Sequence, residues 1–119
     1  MRSVISKYAG LPFSYGSDCC AFAGECVKSI TGENPMDALS YTNEREAHKI
    51  IKSFGGMENA VSHFLGEPYD GHKDGDVCIM DDNKGNKVVA VIYLDRVVAR
   101  VESGLMDYPI SRAEKVWCI

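Results

Sequence analysis

Apolar residues recur at helical spacing up to about residue 66 and at strand spacing after about residue 75, an α-then-β order. The first helix is expected to start after Ser17 or Asp18, either of which can cap free N–H groups, and to run to about Ile30 before Gly32 ends it. At 100° per residue, Cys19, Cys20, Phe22, Ala23, Cys26, Val27 and Ile30 share an arc of about 160°, with Gly24, Glu25, Lys28 and Ser29 opposite. One face is therefore core, and Cys19 lies mid-arc at its N-terminal end. Asn43 and Glu46 have the spacing of a capping box, so a second helix starts at Thr42 or Asn43 and buries Ala47, Ile50, Ile51 and Phe54 before Gly55-Gly56 stops it. A third, Met57 to Leu65, buries Met57, Ala60, Val61 and Phe64.

Gly66-Glu67-Pro68 and Asp70-Gly71 read as turns leading to a strand at about Asp76 to Met80. The polar stretch Asp81 to Asn86 returns the chain into Lys87 to Leu94, Asp95-Arg96 turns it into Val97 to Glu102, and a last strand covers Lys115 to Ile119. Val88 to Leu94 is apolar at both alternating sets of positions, which places it centrally with helices over one side. The expected class is α+β: helices packed on a small antiparallel sheet, in one domain over residues 1–119.

Composition agrees with a single globular unit of 119 residues, 45% hydrophobic and 25% charged. A formal charge of −4 gives no basic field to recruit nucleic acid or anionic lipid. The longest apolar run falls well short of the roughly 20 residues that cross a bilayer, so no membrane span is expected. Met1 to Gly16 has neither the apolar stretch nor the small-residue cleavage site of a secretory signal, which predicts synthesis and first folding in the cytoplasm. Five cysteines form an odd set whose neighbours Cys19 and Cys20 are poor disulfide partners, so they are read as reduced.

Candidate chemistry concentrates at Asp18-Cys19-Cys20, where a thiol sits on the first turn of an amphipathic helix. The positive end of the helix dipole and its unpaired N–H groups stabilise a thiolate and can bind a developing oxyanion. The competing reading is that Cys19 is a small buried hydrophobe on a core-facing arc. Cys19, Cys20 and Cys26 lack Cys-x-x-Cys spacing, Asp81-Asp82-Asn83 lacks the distal Glu of a calcium loop, and no Gly-rich phosphate cradle occurs, so no metal or cofactor is expected. Lys84, Lys87, Arg96 and Arg100 are offset by Asp81, Asp82 and Asp95.

Asp18-Cys19 at a helix start, followed by Gly75-Asp76-Val77 opening a strand and Val89 to Leu94 in the next, resembles the NlpC-type, papain-like cysteine peptidases. The chain is similar, more closely, to a family of small phage proteins related to that fold and encoded with tail-tip genes. The stretches that carry this likeness are Tyr15 to Cys20, Thr31 to Pro35, Tyr41, Gly75-Asp76-Val77, Gly104-Leu105 and Trp117. The resemblance implies a half-barrel sheet, Cys19 at the nucleophile position, and a cleft flanked by Asp18, Cys20 and Lys87. It also implies a place in the virion at the tail tip, after synthesis in the host cytoplasm, among other tail-tip proteins. The histidine that such enzymes carry at the head of the second strand falls on Val89, after Asn86 and Lys87, none of which is a general base of suitable pKa. His48 and His63 flank their helices as solvated residues, which leaves His72, in the loop before the first strand, as the weak candidate base. Two readings follow: a structural tail-tip protein with a degenerate centre, or an active cysteine hydrolase cutting cell-wall peptide or a tail protein.

Overall fold

The computed structural model describes residues 1–11, 18–39, 41–101 and 104–119. Its helices are α1 (Arg2–Ala9), α2 (Cys19–Thr31), α3 (Glu44–Ser53) and α4 (Met57–Leu65), with a 3-10 turn at Pro35–Ala38. The strands are β1 (Val77–Asp81), β2 (Lys87–Tyr93), β3 (Arg96–Val101), β4 (Gly104–Pro109) and β5 (Lys115–Trp117), with a 3-10 turn at Ile110–Arg112. All pairings are antiparallel and the order is β4-β3-β2-β1-β5, so β2 is the middle strand as its two apolar faces require. The α+β class holds. Tyr15, Gly16, Ser17 and Glu102 lie outside the described residues.

Local chemistry accounts for the helix ends. Asp18 accepts the Ala21 N–H at 3.0 Å, and Gly32, at φ +87°, closes α2 with a bond to the Lys28 carbonyl at 2.8 Å. The capping box of α3 is formed in both directions: Asn43 Oδ1 accepts Glu46 N–H at 2.9 Å, and Glu46 Oε1 accepts from Asn43 Nδ2 at 3.0 Å. In the Asp81–Asn86 stretch the carboxylates of Asp81 and Asp82 accept the Asn83 and Lys84 amides, which makes it a self-bonded polar turn. The β2–β3 hairpin turns on Leu94 and Asp95, both left-handed at φ +51° and +59°, one residue earlier than the sequence suggests.

Both faces of the sheet are covered. On one, Val77, Ile79, Val89, Val91 and Trp117 meet Phe22, Ala23, Cys26 and Val27 of α2, together with Tyr8 and Val61. On the other, Cys78, Met80, Ala90, Ile92, Val97 and Ala99 pack with Tyr108, Ile110 and Ala113. Trp117 ties α4 to β5 by donating from Nε1 to Ser62 Oγ and to the Gly66 carbonyl. No helix among the described residues is long and apolar enough to cross a membrane.

Two elements depart from the sequence pattern. Helix α1 packs on the side of α2 that periodicity assigns to solvent, where Tyr8 and Lys7 bond Glu25. Gly24, on that same side, is buried under the 3-10 turn; a Cβ there would stand 2.4 Å from Asn34 Oδ1, so the lack of a side chain lets the turn seat. Strand β4, an edge strand, replaces the loop expected after β3. The basic residues do not gather: Arg96 pairs with Asp107, Lys87 with Glu114, and Arg100 is buried, donating to the carbonyls of Tyr8 and Leu11 that end α1.

Asp76 opens β1 as a fully buried carboxylate that accepts from the Lys73 and Ile119 amides at 3.0 Å each, from Lys73 Nζ and from the Tyr69 hydroxyl. It binds the loop before β1 to the end of the chain. Burial alone would raise its pKa; the Ile119 amide, Lys73 and Tyr69 outweigh that and hold it below the usual range. Its stabilisation is therefore fully present above about pH 4 and is lost as pH falls through the lowered native value. Asp76→Ala, which leaves the Lys73 and Ile119 amides without their partner and frees Lys73 Nζ and the Tyr69 hydroxyl, should cost about 3 kcal/mol in urea unfolding at neutral pH. Asp76→Asn should lack the acid-sensitive component, so the stability gap between it and the unmodified chain should narrow from pH 7 towards about pH 3.

Candidate functional site

Helix α2 lies along β2 and is pinned near both ends. At its C-terminal end Ile30 reaches Gly75, where a Cβ would fall 2.4 Å from Ile30 Cδ1, and the Gly75 amide bonds the Ile92 carbonyl at 2.8 Å. At its N-terminal end Cys19 meets the main chain of Val89, whose amide is directed at the sulfur. Val89, where the sequence offers no usable base, thus meets Cys19 through its main chain and carries an apolar side chain.

Cys19 and Cys20 are half-buried, with their sulfurs 4.0 Å apart. The Cys20 hydrogen bond is the largest influence on Cys19; burial and the Asp18 carboxylate oppose it, the Val89 and Cys20 amides support it, and the thiol ends below its ordinary pKa. Cys20 goes the other way, pushed well up by giving that hydrogen bond and by burial. Asp18 is buried and structural: besides the cap on Ala21, it accepts from the Tyr41 hydroxyl at 2.9 and 2.7 Å through its two oxygens. Tyr41 is raised by burial, by nearby Cys20 and by that bond to Asp18, so it donates and does not act as a base.

No histidine among the described residues hydrogen-bonds either thiol. His72 is not brought to Cys19; its Nε2 contacts Asp95 Oδ1 at 2.8 Å beside the β2–β3 turn. Val89 and Asp95 are six residues apart along β2 and its turn, roughly 20 Å at strand rise, so His72 is at the far end of the sheet. His48 is exposed, 3.9 Å from Glu44, and His63 is exposed, with its ring 4.8 Å from that of Phe54. Cys26 and Cys78 are buried and inert, each pushed up to about 12 by desolvation.

The two thiols open on a groove of about 880 Å³ between α2, α3, α4 and the sheet. Its walls are largely apolar, drawn from Val27, Ile51, Phe54, Met57, Val61 and Val89; Asp82 and Lys84 from the β1–β2 turn, Lys87 at the start of β2, and Glu44 and His48 from α3 supply polar lining. Of the cleft residues expected from sequence, Asp18, Cys20 and Lys87 all line this groove, with Lys87 tied to Glu114 at 2.6 Å. The roles of Tyr41 and of the Val89 amide escaped sequence reasoning. Tyr41 is 23 residues from Asp18, and no local spacing links them.

Over residues 1–119 the chain matches a family described as a domain of unknown function, DUF6950, and it belongs to that family. No curated protein matches it in sequence.

Replacing Asp18 by Asn keeps a capping side chain while removing the negative charge that disfavours a thiolate. The pH at which Cys19 becomes alkylated by iodoacetamide should therefore move down in Asp18→Asn, as read by peptide mass spectrometry. Tyr41→Phe removes the one O–H shared by the two oxygens of a buried carboxylate and should lower stability by about 1–3 kcal/mol in urea titration.

Proposed function

We propose that this DUF6950 chain is a structural component of a bacteriophage tail tip, built on a papain-like (NlpC-type) scaffold whose hydrolytic centre has no base. The observation that carries the loss of hydrolysis is the neighbourhood of Cys19, which contains a second thiol, a main-chain amide and a buried capped carboxylate in place of an imidazole. Amide cleavage needs a proton delivered to the departing amine, and neither raised Cys20 nor raised Tyr41 is matched to that task near neutral pH. The papain-like assignment is supported by a cysteine-bearing helix seated on the middle strand of an antiparallel sheet with a core on each face. The assembly role draws on the likeness of Tyr15 to Cys20, Gly75-Asp76-Val77 and Trp117 to phage tail-tip proteins, with neighbouring tail proteins as partners and the virion as location. One observation favours the alternative, a cysteine peptidase or amidase on cell-wall peptide: the thiol of Cys19 is held below its ordinary range.

The two readings separate in a phage carrying Cys19→Ala. The structural reading expects normal tail incorporation and infectivity, with a stability cost of about 1 kcal/mol for losing a small half-buried side chain. It also expects purified protein to release no amine from cell-wall peptides. Normal incorporation with lost infectivity, or amine release abolished by Cys19→Ala, overturns it in favour of hydrolysis.

A further inference from the structure

The two edges of the sheet are not alike among the described residues. Strand β5 is three residues long, and its outward carbonyl, that of Val116, accepts the Tyr69 amide at 2.9 Å. The six-residue β4 has no such cover. Which of its main-chain groups are free follows from the ladder. Ile92 gives its N–H to Asp76 and accepts that of Gly75, both on the β1 side, so Val91 and Tyr93 face β3, where they pair with Val98 and Arg96. Val97, Ala99 and Val101 therefore face β4, and their partners Tyr108, Met106 and Gly104 face back. Leu105 and Asp107 are left with N–H and C=O directed away from the sheet, and no main-chain bond between described residues uses them.

The usual devices that keep strand edges apart are weak here. Strand β4 holds no lysine, Pro109 closes only its last position, and its one charge, Asp107, is paired with Arg96 at 2.7 Å. Met106 stands 45% exposed on this edge. A free edge takes another strand, and the residue order of β4 fits that strand to a second β4. Antiparallel pairing about a two-fold axis must match outward residues to outward residues. Asp107 opposite Asp107 would set like charges face to face. Leu105 opposite Leu105 would leave both Asp107 residues beyond the described end of the other strand. Leu105 opposite Asp107 engages both outward residues of each copy. In that register Met106 meets Met106 on the axis, and Tyr108 lies opposite Gly104, where a Cβ would meet nothing within 4 Å. A large side chain thus faces an empty position on both sides of the axis.

We propose that β4 is a self-recognition edge: two copies of this chain pair antiparallel through Gly104–Pro109 about a two-fold axis at Met106, joining their sheets into one. Leu105 of each copy exchanges both main-chain hydrogen bonds with Asp107 of the other. Neither side chain has to move, since Leu105 stays packed on its own core and Asp107 keeps its bond to Arg96. The pairing is a property of the edge and holds whether or not the chain works in a phage tail.

The test follows the full, reduced chain by sedimentation equilibrium across a concentration series. The expected result is a monomer–dimer equilibrium with a Kd of about 10–100 µM, because a single strand pair is small for a protein interface. Met106→Lys, which sets two cations on the axis, and Asp107→Pro, which removes an outward N–H, should each weaken it by at least about tenfold. Cys118→Ser, which removes the one exposed thiol among the described residues, should leave it unchanged. Register is read by cross-linking in a Cys118→Ser background under oxidised glutathione. Met106→Cys should yield a disulfide-linked dimer through position 106, located by peptide mass spectrometry, and Asp107→Cys, diagonal to its counterpart, should cross-link at least about tenfold more slowly. Far-UV circular dichroism checks that each variant folds; the concentration series of the unmodified chain carries the test should one fail. A chain monomeric up to about 0.5 mM, a dimer that survives both β4 substitutions or is lost with Cys118→Ser, or equal cross-linking at positions 106 and 107 would each overturn the proposal.

Discussion

The seat of α2 on β2 is the constraint from which the site follows. Phe22 and Cys26 bury completely against the sheet, the exposed Ile30 touches Gly75 and Cys19 meets Val89, so a slide by one turn would undo every one of these contacts. That register fixes which group on the strand faces the sulfur. It also fixes what stays away: the loop carrying His72 leaves the sheet at the Ile30 end, and no side-chain rotation recovers a separation set by the length of the helix. The Asp76 knot, which binds that loop to the chain terminus, keeps it there.

Much of this was legible because local chemistry and tertiary packing agree. Asp18, Gly32, Asn43, Glu46 and the Gly55-Gly56 pair mark helix ends by short-range hydrogen bonds and backbone freedom, and α2 to α4 form within a residue or two of those marks. The double apolar face of Val88 to Leu94 signalled the middle strand. Helix α1 was hidden for the opposite reason. Met1, Val4, Ile5 and Tyr8 have helical spacing, but eight residues with no side-chain cap are too short to be stable alone. Arg100, some ninety residues on, satisfies the carbonyls at its end. With α1 in place Glu25 has partners there, and the 3-10 turn covers Gly24, which is why both departed from their periodic assignment. Strand β4 is likewise an edge element, exposed at Met106 and Asp107, whose pattern carries little apolar signal.

The centre was legible as a position but not as a chemistry. Sequence pairs a cysteine with a helix start and singles out Val89 on the middle strand, and the geometry brings those two together. What a linear reading lacks is the environment: a second sulfur at 4.0 Å, a tyrosine 23 residues away saturating the capping carboxylate, and apolar walls from two later helices. These are long-range consequences of packing. They alter what the thiol can do without altering any motif.

An aspartate beside a nucleophilic thiol would be a poor choice for a hydrolase, since its charge disfavours the thiolate. Here it caps the helix whose dipole favours the thiolate, so Asp18 is retained by the fold at some cost to the chemistry. Tyr41 directs its hydroxyl onto both carboxylate oxygens, holding Asp18 in its cap geometry, while Asn34 and Met36 seat the 3-10 turn over Gly24. The residues around Cys19 are thus arranged first to hold α2, the 3-10 turn and the sheet together. Removing any of them would loosen the helix on which that sheet face is packed, so the surroundings of the thiol are held by the fold whatever the thiol does.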